Sequence, residues 1–400
     1  MDDAPLPLPA IEGVTPDSLP DKDKVYFNDY STLVQQQGML QDTVRTSLYQ
    51  FAILENKSDF HGKTVLDVGA GTGILSFFAA QAGAKKVFAV EASGMAAKAE
   101  KLARGNNLTE VVTVLNQRVE DVTLDERVDV LISEPLGIAL VNERMIESYL
   151  IARDALLKPG GKMFPDRATL YAAPFTDDAL FNEQYQKACF WTYPDFYGVD
   201  LSPLKADAVD FYFSQPVVGP MMTQSLAAPA SSISFDFASM ALKDLQRFVL
   251  PIDFTTQEEP LPPPLSLGVT PIHGVALWFD CHFPGSEREI MIDTSPFAPL
   301  THWYQVRGML KSPLAAGQGH RFTGELRFEA NESRGYNVHI SLTNTNTGVS
   351  AANTVVTQCA LHHFQYSSQQ STYYAPTQTP EAQQPAYAAQ PEQGAPYSVG

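Results

Sequence analysis

The feature that most restricts how this chain can fold is a series of short, largely apolar segments separated by helical stretches between residues 63 and 134. "KTVLDV", "ILSFFAAQAG", "KKVFAVE", "GMAAKAEKLARGN", "VVTVLNQ" and "VDVLISE" follow one another as alternating strands and helices. Strands without polar alternation must be covered on both faces, and helices between them make them parallel, so the pattern predicts a parallel sheet flanked by helices. The first strand runs into "VLDVGAGTG", which places Gly69, Gly71 and Gly73 at the mouth of a helix. Glycines there permit a tight turn and close approach of a ligand to the backbone. Glu91 ends the second strand, at the separation where an acid grips a ribose hydroxyl pair. A dinucleotide site is one reading and a merely tight turn another. The spacing is GxGxG, not GxGxxG, and Asp67 precedes the turn, which points to the nucleoside of S-adenosylmethionine instead.

The texture changes along the chain. Residues 1–22, rich in Pro and Asp, read as a flexible lead. The stretch 24–57 reads as helical, with Met39, Leu40, Val44, Leu48, Phe51 and Ala52 at helical spacing. After "LLKPGGKMFPD" (156–166), short alternating segments such as "HGVALWFDCHF", "ELRFEA" and "YNVHISLTN" predict an antiparallel β domain, barrel-like in form. Within it, "LFNEQYQKACFWTYPDFYGVDL" (180–201) is helical at first and crowded with aromatics, suiting either a core or an arm that docks on a partner. Residues 255–271, with "EEPLPPPLSLGVTP", predict an irregular loop, because stacked prolines cannot join a ladder. The Gln/Pro/Tyr-rich end lacks the residues to build a core and predicts disorder. The expected organisation is a lead over 1–22, a cofactor-binding domain over 23–165, a β domain over 166–365 with an arm near 176–201, and a tail over 366–400.

Composition narrows the function. Forty-five Asp and Glu against 27 Lys and Arg give a formal charge of −18, which opposes a nucleic-acid groove and attracts cationic partners. No apolar run approaches membrane-helix length and the N-terminus lacks signal-peptide features, so a soluble intracellular protein is expected. Cys189, Cys281 and Cys359 are far apart and form no zinc spacing, so no metal is expected. The sequon at Asn331 is expected to be idle in a reducing compartment.

"DVLISEPLGIALVNERMIESY" (129–149) puts Glu134 and Glu143 on either side of an apolar loop. Alone, it is also what a solvated turn before a helix looks like, with an early Glu suiting the dipole. Glu120 after the third strand would lie at an adenine edge or simply at a solvated strand end. Arg45, ahead of the sheet, is a bidentate clamp for a cofactor carboxylate or a surface charge.

Four stretches then converge: "YFNDY" (26–30), "VLDVGAGTG", "SEPLGIALVNERMIESY" and "PLTHWYQVR" (299–307). Over roughly residues 24–365 the chain resembles the protein arginine methyltransferases, most closely the coactivator-associated (histone-arginine) type I subfamily. The resemblance implies a class I methyltransferase sheet, a β-barrel, and a helical arm that reaches a second subunit to make a homodimer. It implies S-adenosyl-L-methionine contacts from Gln36, Arg45, Gly69, Gly71, Glu91, Glu120 and Ser148. Tyr26, Phe27 and Tyr30 would fold over the cofactor as a lid. Glu134 and Glu143 would hold the substrate guanidinium, His302 would pair with Asp42, and Met39, Met145 and Trp303 would shape the space around the accepting nitrogen. Read alone, His302 beside Trp303 is a structural loop histidine and the methionines are core filler. A Met at position 39 accompanies asymmetric dimethylation in this family. The implied substrates are histones and RNA-binding proteins, and the implied setting is nucleus and cytoplasm, with no direct nucleic-acid or membrane binding.

The chemistry fits the acids. A guanidinium stays charged, presents a planar fork of donors, and is a poor nucleophile because its lone pairs are delocalised. Two carboxylates bind both edges, fix its plane and draw positive charge toward the nitrogens they contact. Without the cation the pair repels and one acid tends to hold a proton.

Several positions depart from the subfamily. Ile138 and Ala139 stand where its animal members carry an aromatic residue and a Met. The Pro-rich insertion near 257–270 is longer than expected, and with 22 residues ahead of the helical stretch the folded module those members carry there is not expected. Two competing readings are a small-molecule methyltransferase, which needs neither the acid pair nor the β domain, and a silent scaffold recruiting partners through its tail. Loss of a glutamate or of the glycines would favour the scaffold, and all are present.

Overall fold

The computed structural model describes residues 21–256, 270–359 and 365–366. Most of the expected flexible lead, the bulk of the Pro-rich loop and the tail beyond 366 lie outside the described residues. The helical stretch divides into α1 (Asp21–Tyr30), α2 (Leu33–Gln41), α3 (Thr43–Leu54) and the short α4 (Lys57–Phe60). Caps set the breaks: Thr32 Oγ1 accepts from the Gln35 N–H, and Asp42 Oδ1 accepts from the Arg45 N–H. Each satisfies a donor that a helix start leaves free. The inward face of α3 differs from the one its spacing predicts. Arg45, Tyr49, Ala52 and Ile53 point inward, while Phe51 is 46 % exposed. A buried arginine counts as polar in an apolar pattern, so the predicted face lies one residue out of phase.

The parallel sheet follows as predicted. It contains β1 (Thr64–Val68), β2 (Lys86–Val90), β3 (Val112–Leu115), β4 (Val128–Ser133) and β5 (Leu157–Phe164), in the order β3-β2-β1-β4-β5 with every pairing parallel. Helices α5 (Ile74–Gln81), α6 (Ala96–Gly105) and α7 (Met145–Leu156) connect its strands. The chain runs outward from β1 through β2 to β3 and then crosses to β4. That reversal opens a crevice at the carboxyl ends of β1 and β4, where open α/β sheets bind ligands.

Beyond residue 166 two antiparallel sheets form. One runs β16 (Gln365–Tyr366), β7 (Val217–Gly219), β12 (Gln305–Ala316), β10 (Thr270–Pro284), β6 (Arg167–Phe175) and β8 (Ser231–Asp236), with β11 (Glu289–Asp293) also on β10. The other runs β15 (Ser350–Val356), β14 (Tyr336–Asn344), β13 (Arg321–Ala330) and β9 (Arg247–Thr255). Only the β16–β7 pairing is parallel among those described in the two sheets. Seams between β12 and β15 and between β8 and β9 close the sheets into a barrel. Strict alternation drives closure: Phe248, Leu250, Ile252 and Phe254 of β9 point inward, with Phe248 stacked on Phe328 and Phe254 on Phe322. The irregular loop is narrower than 255–271, since Thr255 ends β9 and Pro271 pairs opposite Ala315 at the start of β10.

Between β6 and β7 the chain makes a helical excursion through α8 (Asp178–Cys189) and α9 (Lys205–Phe213), longer than the aromatic stretch to 201. Its base is buried through Leu180 and Phe213, while Tyr197 is 93 % and Phe211 58 % exposed. The β10–β11 hairpin locks the barrel to the sheet unit. There Asn56 Oδ1 accepts the Glu287 and Arg288 N–H groups, and Asp59 accepts from Lys162 Nζ and from the Ser286 N–H and hydroxyl.

Candidate active site

A cavity of about 1080 Å³, open to solvent, occupies the predicted crevice. Its floor is the glycine turn. Gly69, Gly71 and Gly73 have φ of 70°, 56° and 87°. A Cβ on Gly71 would stand 2.7 Å from Gln36 Oε1, and one on Gly69 2.7 Å from Met145 Cε. The turn therefore excludes side chains on two counts, conformation and space. Gln36 is buried and donates to the Tyr30 carbonyl at 3.0 Å.

Glu91 is tied down at both oxygens. Oε2 accepts the Gly71 N–H at 2.8 Å and Oε1 the Ser93 N–H at 2.7 Å. Each oxygen keeps a further lone pair, which fits a vicinal diol. Glu120 sits on a 3₁₀ turn (Val119–Asp121) after β3, where Ser148 Oγ on α7 donates to Oε1 at 2.7 Å and Arg118 Nε to Oε2 at 3.3 Å. Tyr26, Phe27 and Tyr30 of α1 form the outer wall, with Tyr26 packed on both other rings. Met39 and Met145 also face the cavity.

The two acids stand in the same wall. Glu134 leaves β4 and accepts from Arg45 Nη2 at 3.1 Å, while Glu143 accepts the Tyr30 hydroxyl at 2.7 Å. Burial raises the Glu134 pKa against the opposing charges of Arg45 and His302. Burial also pushes Glu143 up to about 7, helped by the charge of Glu134 and resisted by the Tyr30 hydrogen bond. Glu134 Oε1 and Arg45 Nε are buried with no hydrogen-bond partner among the described residues. A buried orphan acceptor beside an orphan donor is what a pocket built for a polar ligand leaves behind. Behind the turn, buried Asp67 accepts from Ser76 Oγ at 2.7 Å, and desolvation raises its pKa to about 7.

The loop between the acids is strained. Ala139, Leu140, Glu143 and Arg144 all have positive φ, an uncommon state for residues other than glycine. Trp303 lies behind this loop and outside the cavity wall, its indole N–H donating to the Leu136 carbonyl at 3.0 Å. His302 and Asp42 are likewise outside the wall. His302 Nδ1 and its N–H both meet Asp42 Oδ2 at 2.8 Å, and Asp42 caps the helix that carries Arg45. Burial alone would raise the Asp42 carboxyl, but the hydrogen bonds from His302 and from the Arg45 N–H hold it below its usual value. The His302–Asp42 pairing thus reaches the acids through α3 and Arg45.

The sequence reading missed Arg334, on the turn between β13 and β14. It enters the cavity wall, donates to the Glu143 carbonyl at 3.1 Å and covers the Tyr26 ring. Its turn, "NESRGY", carries no periodic or motif signal that would have marked it. Arg144 was also passed over. It spans both Glu147 oxygens and reaches the Asn331 carbonyl. Among the described residues no cluster could hold a metal ion, and no helix is long and apolar enough to cross a membrane.

A β3-β2-β1-β4-β5 parallel sheet with this glycine turn defines the class I methyltransferase architecture, here joined to an antiparallel barrel. The family profile described as the arginine methyltransferase oligomerization subdomain matches residues 166–348, and one described as ribosomal protein L11 methyltransferase matches residues 43–163. A probable histone-arginine methyltransferase CARM1 from Oryza sativa subsp. indica is 47 % identical over 320 residues, covering 80 % of this chain and 59 % of its own length. The probable histone-arginine methyltransferase 1.3 of Arabidopsis thaliana is 44 % identical over 370 residues, covering 92 % and 67 %. Among solved structures, the Trypanosoma brucei PRMT1 enzyme-prozyme heterotetrameric complex with AdoHcy matches at 30 % identity and a TM-score of 0.73, covering 82 % of this chain and 100 % of that one. The chain belongs to the protein arginine methyltransferase family. It spans about three fifths of the length of the rice relative.

Proposed function

We propose that this chain transfers methyl groups from S-adenosyl-L-methionine to the guanidino nitrogens of arginine in histones and RNA-binding proteins, giving mono- and asymmetric dimethylarginine. The observation that carries the reading is the acid pair. Two carboxylates face one cavity, the buried Glu143 at a pKa of about 7 and the partly buried Glu134 with a buried oxygen awaiting a donor. A pair of acids could instead serve general acid-base work, but the glycine cradle beside it favours group transfer from a nucleoside.

S-adenosylmethionine supplies a methyl group on a sulfonium. Glu91 and Glu120 would accept its ribose and adenine donors, and the orphan Nε of Arg45 would donate to its carboxylate, readings that their hydrogen-bond geometry supports. Glu134 and Glu143 take the two edges of the substrate guanidinium, and binding of that cation discharges the proton that burial, helped by repulsion, holds on the empty pair. The fixed plane leaves one nitrogen lone pair free for in-line attack. The pair would accept the proton that this nitrogen loses on methylation. Met39 and Met145 leave room for a methylated nitrogen to return.

The exposed aromatic tip of the α8–α9 excursion supports a homodimer. Roles in chromatin and transcription regulation, in nucleus and cytoplasm, follow from the substrate class. The charge of −18 supports basic protein partners over nucleic acid. Labelled cofactor with histone and Pro-rich splicing-factor peptides, followed by mass spectrometry separating the three methylarginines, tests this. Symmetric dimethylarginine as the main product, or no transfer to arginine, refutes it.

A further inference from the structure

We propose that Arg334 is a positioning residue that fastens the lid helix α1 and the acid loop to the barrel as one unit, so that cofactor enclosure and correct placement of Glu143 occur together. This inference rests on the function proposed above for the acid pair.

One guanidinium serves three elements. Its Nε donates to the Glu143 carbonyl at 3.1 Å, its Nη1 to Asp23 Oδ1 at 3.0 Å, and its Cζ lies over the Tyr26 ring, 4.3 Å from the centroid. These partners lie 191 and 311 residues away in sequence for Glu143 and Asp23, so the contacts exist only when sheet unit, lid and barrel are assembled. The Arg334–Asp23 pair is sheltered, with side chains 18 % and 14 % exposed, where screening by salt is weak. Planar fork and ring-stacking geometry is what arginine supplies and lysine does not. The turn that carries it is fixed from below. Asn331 Oδ1 accepts the N–H groups of Ser333 and Gly335, and the Asn331 carbonyl receives Arg144.

The lid side closes the circuit. Tyr30, on the same helix as Asp23 and Tyr26, donates to the Glu143 carboxylate, and its carbonyl receives Gln36, which covers the Gly71 turn. Arg334 holds the backbone of Glu143 while Tyr30 holds its side chain, so α1 cannot leave the cavity without loosening both. The charge matters too. The groups facing Glu143 are Tyr26 and Tyr30 from α1, Glu134 across the loop, Arg334 from the barrel and Cys359 from the segment after β15. Arg334 is the cation among them that favours the ionised form of Glu143.

Amide hydrogen exchange on the full chain, without ligand, decides the matter. In Arg334→Ala the amides of α1 and of the loop 134–144 should exchange about tenfold faster or more, the scale of a lost charge-assisted hydrogen bond, while β13 and β14 keep their protection. Arg334→Lys should restore little, since it keeps the charge and loses the fork. With Asp23→Asn, the effects on α1 should be less than additive. In turnover, Arg334→Ala should raise KM for cofactor more than it lowers kcat and move the acid limb of kcat/KM to higher pH. A residue that only stabilised its own turn would change neither. Unchanged α1 exchange in Arg334→Ala, with β13 and β14 intact, overturns the proposal. A wild-type chain that methylates no arginine peptide overturns the proposed function instead, and leaves the exchange result to decide the fastening.

Discussion

Replacing Glu143 by Gln isolates one charge in the acid pair. Glu143 is 8 % exposed, and its Oε2 accepts the Tyr30 hydroxyl. An amide of the same size offers one acceptor and one donor end. If its oxygen keeps Tyr30, its NH₂ faces the donors of the guanidinium; if it turns over, Tyr30 loses its acceptor. Either way a charge-assisted hydrogen bond is lost, worth about 1.5–3 kcal/mol. The electrostatic pull on the reacting nitrogen is lost with it, so methyl transfer should fall roughly a hundredfold or more. Binding of S-adenosylhomocysteine, measured by calorimetry, should change little, because Glu91, Arg45 and the glycine turn are untouched.

The same variant has a signature in pH. The free enzyme holds a proton on the pair with Glu143 near 7, so wild-type kcat/KM should rise through an apparent pKa near 7 as that proton leaves. The limb in kcat should lie lower, since bound guanidinium favours the ionised pair. In Glu143→Gln the kcat/KM limb should move to lower pH, because Glu134 no longer faces a second carboxylate. Stability should move the other way. A carboxyl whose folded pKa lies above its value of 4.5 in the unfolded chain binds its proton more tightly when folded, so its ionisation destabilises the fold as pH rises from 4.5 to about 7. The cost grows to about 3 kcal/mol above that range. Glu143→Gln should therefore unfold at a higher temperature than wild type at pH 8 and at nearly the same temperature at pH 4. Wild-type rates with normal cofactor binding would return the loop to a solvated turn, and an unchanged kcat/KM limb would remove the coupled pair.

Further outcomes follow from other parts of the site. Gly71→Ala puts a Cβ 2.7 Å from Gln36 Oε1 in a left-handed backbone, so S-adenosylhomocysteine affinity should fall by about tenfold or more in calorimetry; unchanged affinity would remove the cradle. Met39→Phe should crowd the returning nitrogen and raise the ratio of mono- to asymmetric dimethylarginine by mass spectrometry, and an unaltered ratio would take Met39 out of product control. Tyr197→Asp with Phe211→Asp puts charge on two exposed aromatics of the helical excursion and should convert a dimer to a monomer in sedimentation at micromolar concentration. A monomeric wild type would refute the arm's role.

The cofactor end of the site was the more legible in sequence. Its parts are local: an apolar strand, three glycines, a helix, and an acid at the end of the next strand all lie between Val65 and Glu91. The barrel strands were also visible, because alternation in "YNVHISLTN" coincides with β14 from Tyr336 to Asn344. The face of α3 was misread for a physical reason. Arg45 is buried because it reaches Glu134, and a pattern that treats charge as surface cannot assign it. Arg334 was invisible for the opposite reason, since a polar turn with an arginine is also what an idle loop looks like.

The geometry of the acid loop shows why the substrate end could not be read locally. Ala139, Leu140, Glu143 and Arg144 adopt positive φ in "IALVNER", which has no glycine and offers only Asn142, not itself in that state, as a residue suited to it. Left-handed backbone costs such residues roughly 1–2 kcal/mol each, so the conformation must be imposed from outside. The contacts that impose it come from the barrel half of the chain. Trp303 holds the Leu136 carbonyl, the Gln358 carbonyl receives Asn142, the Asn331 carbonyl receives Arg144, and Arg334 holds the Glu143 carbonyl. By contrast, Gln36, Glu91, Glu120 and Ser148 find the hydrogen-bond partners described here within the sheet unit and its leading helices. The cofactor cradle is thus a property of one folding unit, while the position of Glu143 is a property of two held together. A barrel that shifts against the sheet would leave the cradle standing and let the second carboxylate relax away from the first.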